Sequence, residues 1–190
     1  MTTTRFDAVW INGSVGTGKT TSAEQIWAEL RRRKVPSALI DVDALRHCWP
    51  TPDADPFHSK LAQENLRAVS AHCRTAGARI IVAAGVLESI EEVDATRVAL
   101  GSENILLVRL IATPPTAASR LRHRHEGDMA AAMWHENRHE QLAQILEQAG
   151  FSDELVIDTT ELTPGEVAQR VVGALLGDCE PRGHLAPGCV

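Results

Sequence analysis

Residues 13–20 read Gly13-Ser14-Val15-Gly16-Thr17-Gly18-Lys19-Thr20. They satisfy the spacing G-x-x-x-x-G-K-[ST] at every fixed position. Gly13, Gly16 and Gly18 allow a tight backbone turn that brings N–H groups against a phosphate. Ser14, Val15 and Thr17 complete the loop, Lys19 brings a point charge to the β- and γ-phosphates, and Thr20 offers a hydroxyl to Mg²⁺. Thr21 continues into the helix whose positive end faces the same anion. The apolar run Ala8-Val9-Trp10-Ile11 precedes the loop as a strand, and an amphipathic stretch follows it. This strand–loop–helix context makes residues 13–21 a candidate ATP cradle.

Outward from the loop, short apolar runs alternate with longer amphipathic stretches. Strands are expected over Ala8–Asn12, Ser37–Ile40, Arg79–Ala83, Ile105–Ile111 and Leu155–Ile157. Helices are expected near Lys19–Arg33, Pro56–Ala76, Glu88–Leu100, Pro115–Arg124, Asp128–Ala149 and Pro164–Leu176. Continuous apolar runs such as Ile80-Ile81-Val82-Ala83 suit a sheet buried on both faces. The alternation predicts an α/β fold with a parallel sheet. Thr163, Pro164 and Glu166 form a helix-start signature, and Gly150 and Gly177 are helix stops. The reading is one domain over residues 1–176, with a lid at about 120–135. A flexible tail is expected over 177–190.

Carboxylates enter after the second strand, in Ile40-Asp41-Val42-Asp43-Ala44-Leu45-Arg46-His47. The strand ending in Ala83-Ala84-Gly85 carries no acid, so the Mg²⁺-orienting aspartate of many motor ATPases is missing there. Asn-Lys-x-Asp, which would indicate a GTPase switch, does not occur. In a doubly wound sheet the carboxyl ends of the strands share one crevice. Asp41 and Asp43 are therefore expected to face the phosphate loop. A carboxylate there can orient Mg²⁺ through water or accept a proton from an attacking hydroxyl. Capping the next helix is the plainer alternative.

Gly18-Lys19-Thr20-Thr21, Asp41-x-Asp43-x-Leu45-Arg46-His47, Glu64-Asn65-Leu66-Arg67, Ala76-Gly77 and Asp158-Thr159 together resemble the adenylyl-sulfate kinases. More loosely, the chain is similar to gluconate kinases and chloramphenicol phosphotransferases. The resemblance implies a P-loop NTPase fold: a five-stranded parallel sheet of nucleoside-kinase type, flanked by helices, with a helical arginine lid. It also implies transfer of the γ-phosphate of ATP, with Mg²⁺, to an alcohol. Residue by residue, Asp43, Arg46 and Asn65 would lie in the acceptor pocket, and Asp158 and Thr159 would border the adenine. Two departures stand out. Ala62 occupies the place of an arginine, and Arg120-Leu121-Arg122-His123-Arg124-His125-Glu126-Gly127 replaces the family's basic lid, closer to a gluconate-kinase lid.

Arginine forks can stabilise the charge that develops on phosphoryl oxygens. Helical spacing puts Arg120 and Arg124 on one face, with Arg122 turned away. Residues His135-Glu136-Asn137-Arg138-His139 match H-E-x-x-H, a zinc-protease pattern that needs a third ligand. No metzincin extension follows, since Leu142 stands where glycine is required. His135 and His139 are expected to line the lid or face solvent, and Trp134 to sit in the core or a pocket wall.

The chain has 190 residues, 44% of them hydrophobic, and a formal net charge of −6. That balance disfavours a broad nucleic-acid or lipid-binding surface. The one basic run, Arg31-Arg32-Arg33-Lys34, falls where a helix end favours cations. No secretory h-region and no span of bilayer length is evident. Cys48, Cys73, Cys179 and Cys189 form no C-x-x-C pair, as suits reduced thiols in a cytoplasmic enzyme. The leading expectation is a kinase acting on a small-molecule hydroxyl acceptor: adenylyl sulfate, a nucleoside, a sugar acid or an antibiotic. A nucleotide-binding regulatory module and a zinc hydrolase are the alternatives. Oligomeric state is not legible.

Overall fold

A computed structural model describes residues 5–151 and 154–177. Five parallel strands, β1 (Ala8–Gly13), β2 (Ser37–Asp41), β3 (Ile80–Ala84), β4 (Ile105–Ile111) and β5 (Glu154–Asp158), lie in the order β2-β3-β1-β4-β5. Six helices connect or follow them: α1 (Lys19–Arg32), α2 (Ser59–Thr75), α3 (Ile90–Leu100), α4 (Pro114–Arg124), α5 (Met129–Ala149) and α6 (Pro164–Leu176). β1 is the central strand. The chain runs from it to β2 and β3 on one side, then to β4 and β5 on the other. Its carboxyl end therefore opens into the crevice where such sheets bind ligands.

Alternation along β1 divides the core into two halves. Val9 and Ile11 pack with Ala23, Ile26 and Leu30 of α1 and Val167, Val171 and Val172 of α6. Ala8 and Trp10 face the other way, among Leu66 of α2, Leu100 of α3 and Leu146 of α5. The result is a three-layer αβα stack with a sheet apolar on both faces.

The helix boundaries follow local chemistry. Ser89 and Asp128 cap α3 and α5 by accepting the Glu92 and Ala131 amides. Thr163 and Glu166 close a capping box on α6. Gly101, Gly150 and Gly177 end α3, α5 and α6 in the left-handed conformation. α2 starts at Ser59, three residues beyond the expected Pro56, because the Asp55 carboxylate accepts the amides of Ser59, Lys60 and Leu61. The basic run at the end of α1 is neutralised locally. Glu29 pairs with Arg32 and Arg33, while Arg31 stacks on Trp27 at 4.7 Å.

Between β2 and α2 lies a 3-10 turn, Ala44–Arg46, where the sequence offers no apolar period. No helix among the described residues is long and apolar enough to cross a membrane. The tail beyond Gly177, with Cys179 and Cys189, lies outside the described residues. Cys48 is an exposed free thiol and Cys73 a half-buried one.

Candidate active site

The loop after β1 is held open by its glycines and tied down from several directions. Gly13 has φ +143°, and a Cβ there would lie 2.5 Å from the Leu110 carbonyl oxygen. A Cβ on Gly16, at φ +83°, would press on Leu121 and the Ala117 carbonyl of α4. Lys19 Nζ donates to the carbonyls of Gly13 (2.8 Å) and Ser14 (3.0 Å). Thr17 Oγ1 donates to the Ser14 carbonyl, and the Thr159 hydroxyl lies 3.2 Å from the Thr17 carbonyl. The buried Asn12 carboxamide accepts the Gly13 and Leu87 amides and donates to the Leu87 carbonyl, joining the loop to the segment after β3.

The loop thus spends its carbonyls on side chains. Among the described residues, no acceptor takes the backbone N–H of Val15, Gly16, Thr17 or Gly18. α1 begins with neither a side-chain cap nor an acid in its first turn. Free amides, an uncapped helix start and a lysine together fit a polyphosphate. Withdrawal from water pulls Lys19 from its usual 10.5 down to about 8. The charges of Asp43 and Asp41 oppose that shift, and Arg124 adds to it. A cation made costly by burial is matched to an anionic ligand.

A cleft of about 1200 Å³ runs from Thr159, Leu162 and Val167 past the loop to Asp43, Arg46 and Lys60. Val15 to Thr21 all line it; Gly13 and Ser14 do not. Arg120 and Arg124 also reach it, but their situations differ. Arg120 donates to the Thr159 hydroxyl (3.0 Å) and carbonyl (2.7 Å), on the side opposite Asp43. Arg124 is exposed, and its charge is felt at Lys19. Arg122 is absent from the lining and donates two hydrogen bonds to the Glu136 carboxylate.

The two aspartates separate. Asp43 is exposed in the cleft, 3.5 Å from Arg46 Nε. Asp41 accepts the Asp43 backbone N–H at 3.0 Å and does not line the cleft. The extended chain of β2 ends at Asp41, and Asp43 is helical, at φ −66° and ψ −31°, and opens the 3-10 turn. An Asx-type turn, rather than strand alternation, is what parts the side chains. Asn65, expected in the acceptor pocket, is not among the lining residues. Its Nδ2 donates to the Leu45 carbonyl at 2.8 Å and holds the turn that carries Asp43 and Arg46. Asp158 likewise accepts the Thr160 amide outside the cleft, while Thr159 lines it.

The H-E-x-x-H histidines do not converge. His135 Nδ1 donates to the Ala131 carbonyl, and its ring stacks on His125 at 4.4 Å. His139 neither faces solvent nor meets His135; it is buried against residues 14 and 15. Among the described residues no group of three or more histidines, cysteines or acids could hold a metal. The oxygen chemistry of Thr20 and phosphate suits Mg²⁺, a hard ion that keeps most of its waters.

Several cleft residues carry no local sequence signal. The Glu88–Arg138 pair, at 3.0 Å, spans 50 positions. Phe57 is an exposed aromatic ring on the lining, and Trp134, expected in the core or a pocket wall, is an exposed ring on the same lining. Asn12, which ties the loop to Leu87 without lining the cleft, is a polar residue ending an apolar strand, and that position is the signal that could have marked it.

The fold and the loop define a P-loop protein of the kinase type. The adenylylsulphate kinase pattern matches residues 6–122, more than half of the chain, and the protein belongs to that family. Its architecture is shared with a gluconokinase from Sinorhizobium meliloti 1021 (TM-score 0.60, 20% identity, 92% of this chain and 94% of that one). It is also shared with the Deinococcus radiodurans tunicamycin resistance protein (TM-score 0.59, 22% identity, 91% and 96%). A third similar structure is a sugar kinase from Janibacter sp. HTCC2649 (TM-score 0.62, 18% identity, 92% and 95%). No curated protein sequence matches the chain.

Proposed function

We propose that the protein transfers the γ-phosphate of ATP to a hydroxyl of a small molecule. The observation that carries this reading is the placement of Asp43 and Lys19 in one cleft, with the Asp43 charge felt at the lysine ammonium. The cleft exceeds the roughly 300–1,000 Å³ of ordinary ligand pockets, which leaves room for two substrates side by side.

In this reading Val15–Thr21 bind the phosphates, with Thr20 the ligand for Mg²⁺. Thr159 borders the adenine, held by Arg120. Bound at Thr20, Mg²⁺ would supply charge that neutralises the polyphosphate. Asp43 accepts the proton of the acceptor hydroxyl as its oxygen bonds to the γ-phosphorus. The bond from that phosphorus to the bridging oxygen breaks, and ADP departs. Arg124 approaches the transferred group, and Arg46, paired with Asp43 on the cleft lining, binds the acceptor. Asp41 holds the turn that aims Asp43. The match to adenylylsulphate kinases and the likeness to a gluconokinase and a sugar kinase support phosphotransfer as the reaction class.

The test combines binding and turnover. ATP–Mg²⁺ at millimolar concentration should raise the thermal midpoint of the protein, as any native-state ligand does. ADP release across a panel of hydroxyl compounds should then find the acceptor. Asp43→Asn should lower that rate about 100-fold or more, the usual reach of a general base, with ATP affinity nearly unchanged. No midpoint shift with ATP–Mg²⁺ would overturn the nucleotide assignment. A fully active Asp43→Asn would overturn the base.

A further inference from the structure

His139 is 4% exposed and sits in the middle of α5, far in sequence from the phosphate loop. Its Nδ1 lies 2.7 Å from the Val15 carbonyl oxygen and 2.9 Å from Ser14 Oγ. A carbonyl can only accept, so Nδ1 carries the proton. That proton is shared between Val15 and Ser14, and the Ser14 hydroxyl keeps its own proton. Ser14 is itself 4% exposed, which shields the bond from water.

From this geometry we infer that His139 is a positioning residue for the nucleotide: it fixes residues 14 and 15 so that the amides that follow stay aimed at phosphate. The reasoning is steric and local. Gly16, with its positive φ, can swing easily, and nothing in its own segment holds the peptide before it. The Val15 carbonyl is the acceptor of that peptide, and His139 is the donor bound to it. α5 also carries Arg138 and Trp134 into the cleft. The histidine therefore ties the wall of the cleft to the loop in its floor.

This inference rests on the assignment of ATP to the loop, and the experiment separates the two. Calorimetric titration of the full chain with ATP–Mg²⁺ and with adenosine gives the affinity of each variant. His139→Leu should weaken ATP about tenfold, the usual cost of leaving a buried acceptor unpaired, and leave adenosine unchanged. His139→Asn puts an amide donor at the position of Nδ1 and should hold ATP affinity within about threefold of the parent. His139→Gln displaces the donor by one bond and should resemble the leucine variant. If the leucine variant does not fold, the Asn and Gln pair decides the matter. Equal affinities for Asn and Gln, or equal losses for ATP and adenosine, would overturn the inference. Failure of the unaltered protein to bind ATP would instead overturn the nucleotide assignment.

Discussion

At the scale of single residues, Lys19 shows how a binding site stores cost. Its ammonium is held by two carbonyls and removed from water, which brings its pKa to about 8. The unfolded chain titrates this group near 10.5. Below pH 8 both states hold the proton, and the folded state bears the whole penalty. Between 8 and 10.5 the unfolded state binds more protons, so folding stability rises with pH. At about 1.4 kcal/mol per unit the penalty is of the order of 3 kcal/mol. Lys19→Met should therefore be more stable than the parent at pH 7 in urea titrations. The advantage should shrink steadily as pH rises from 8 to 10.5. A constant difference across that range would show that the ammonium is not desolvated. The aspartates teach a second lesson. Two acids two positions apart look interchangeable in sequence, yet one carboxylate is consumed by a backbone amide and the other stands in the cleft.

At the scale of elements, β3 illustrates a residue chosen by a neighbour. Where other P-loop enzymes place an acid, this strand runs into Gly85. A Cβ at Gly85 would lie 2.8 Å from the ring of Trp10 and 3.4 Å from the Val42 Cβ. The Trp10 ring is 1% exposed, and its Nε1 donates to the Gly85 carbonyl, so it cannot give way. Gly85→Ala should destabilise the protein by about 1–3 kcal/mol through overpacking. Trp10→Leu, added to that variant, should recover part of the loss. A neutral Gly85→Ala in thermal unfolding would show that the indole repacks freely. Most elements were legible beforehand: the strands from continuous apolar runs, α6 from Thr163 and Glu166, and the helix ends from Gly150 and Gly177. The 3-10 turn at Ala44–Arg46 and the role of Asp55 were not, because both depend on carboxylates that reach across irregular chain. In the site, Val15 to Thr21 were legible because the loop chemistry is local. Asn65, Glu88, Arg138 and His139 find their partners 20 to 125 positions away, beyond the reach of any spacing rule.

At the scale of the molecule, the sheet order joins the two ends of the chain. β1 pairs with β3 and β4, while α1 packs with α6 in one half of the core. No described segment completes a core of its own, so unfolding should be a single cooperative event. Urea transitions followed by far-ultraviolet circular dichroism and by tryptophan fluorescence should coincide. A separate early transition would mean that α4 and α5 open independently. The phosphate loop has a consequence of the same kind for the protein as it is being made. The octapeptide is made before the residues whose contacts shape it, Leu110, Ala117, Leu121, His139 and Thr159. If the loop binds a nucleotide as proposed, a nascent chain carrying the complete motif should still be unable to grip it. On the proposed nucleotide reading that capacity arrives only after β5 has emerged and docked, so ATP cannot act as a folding template while β1 to β4 are being made.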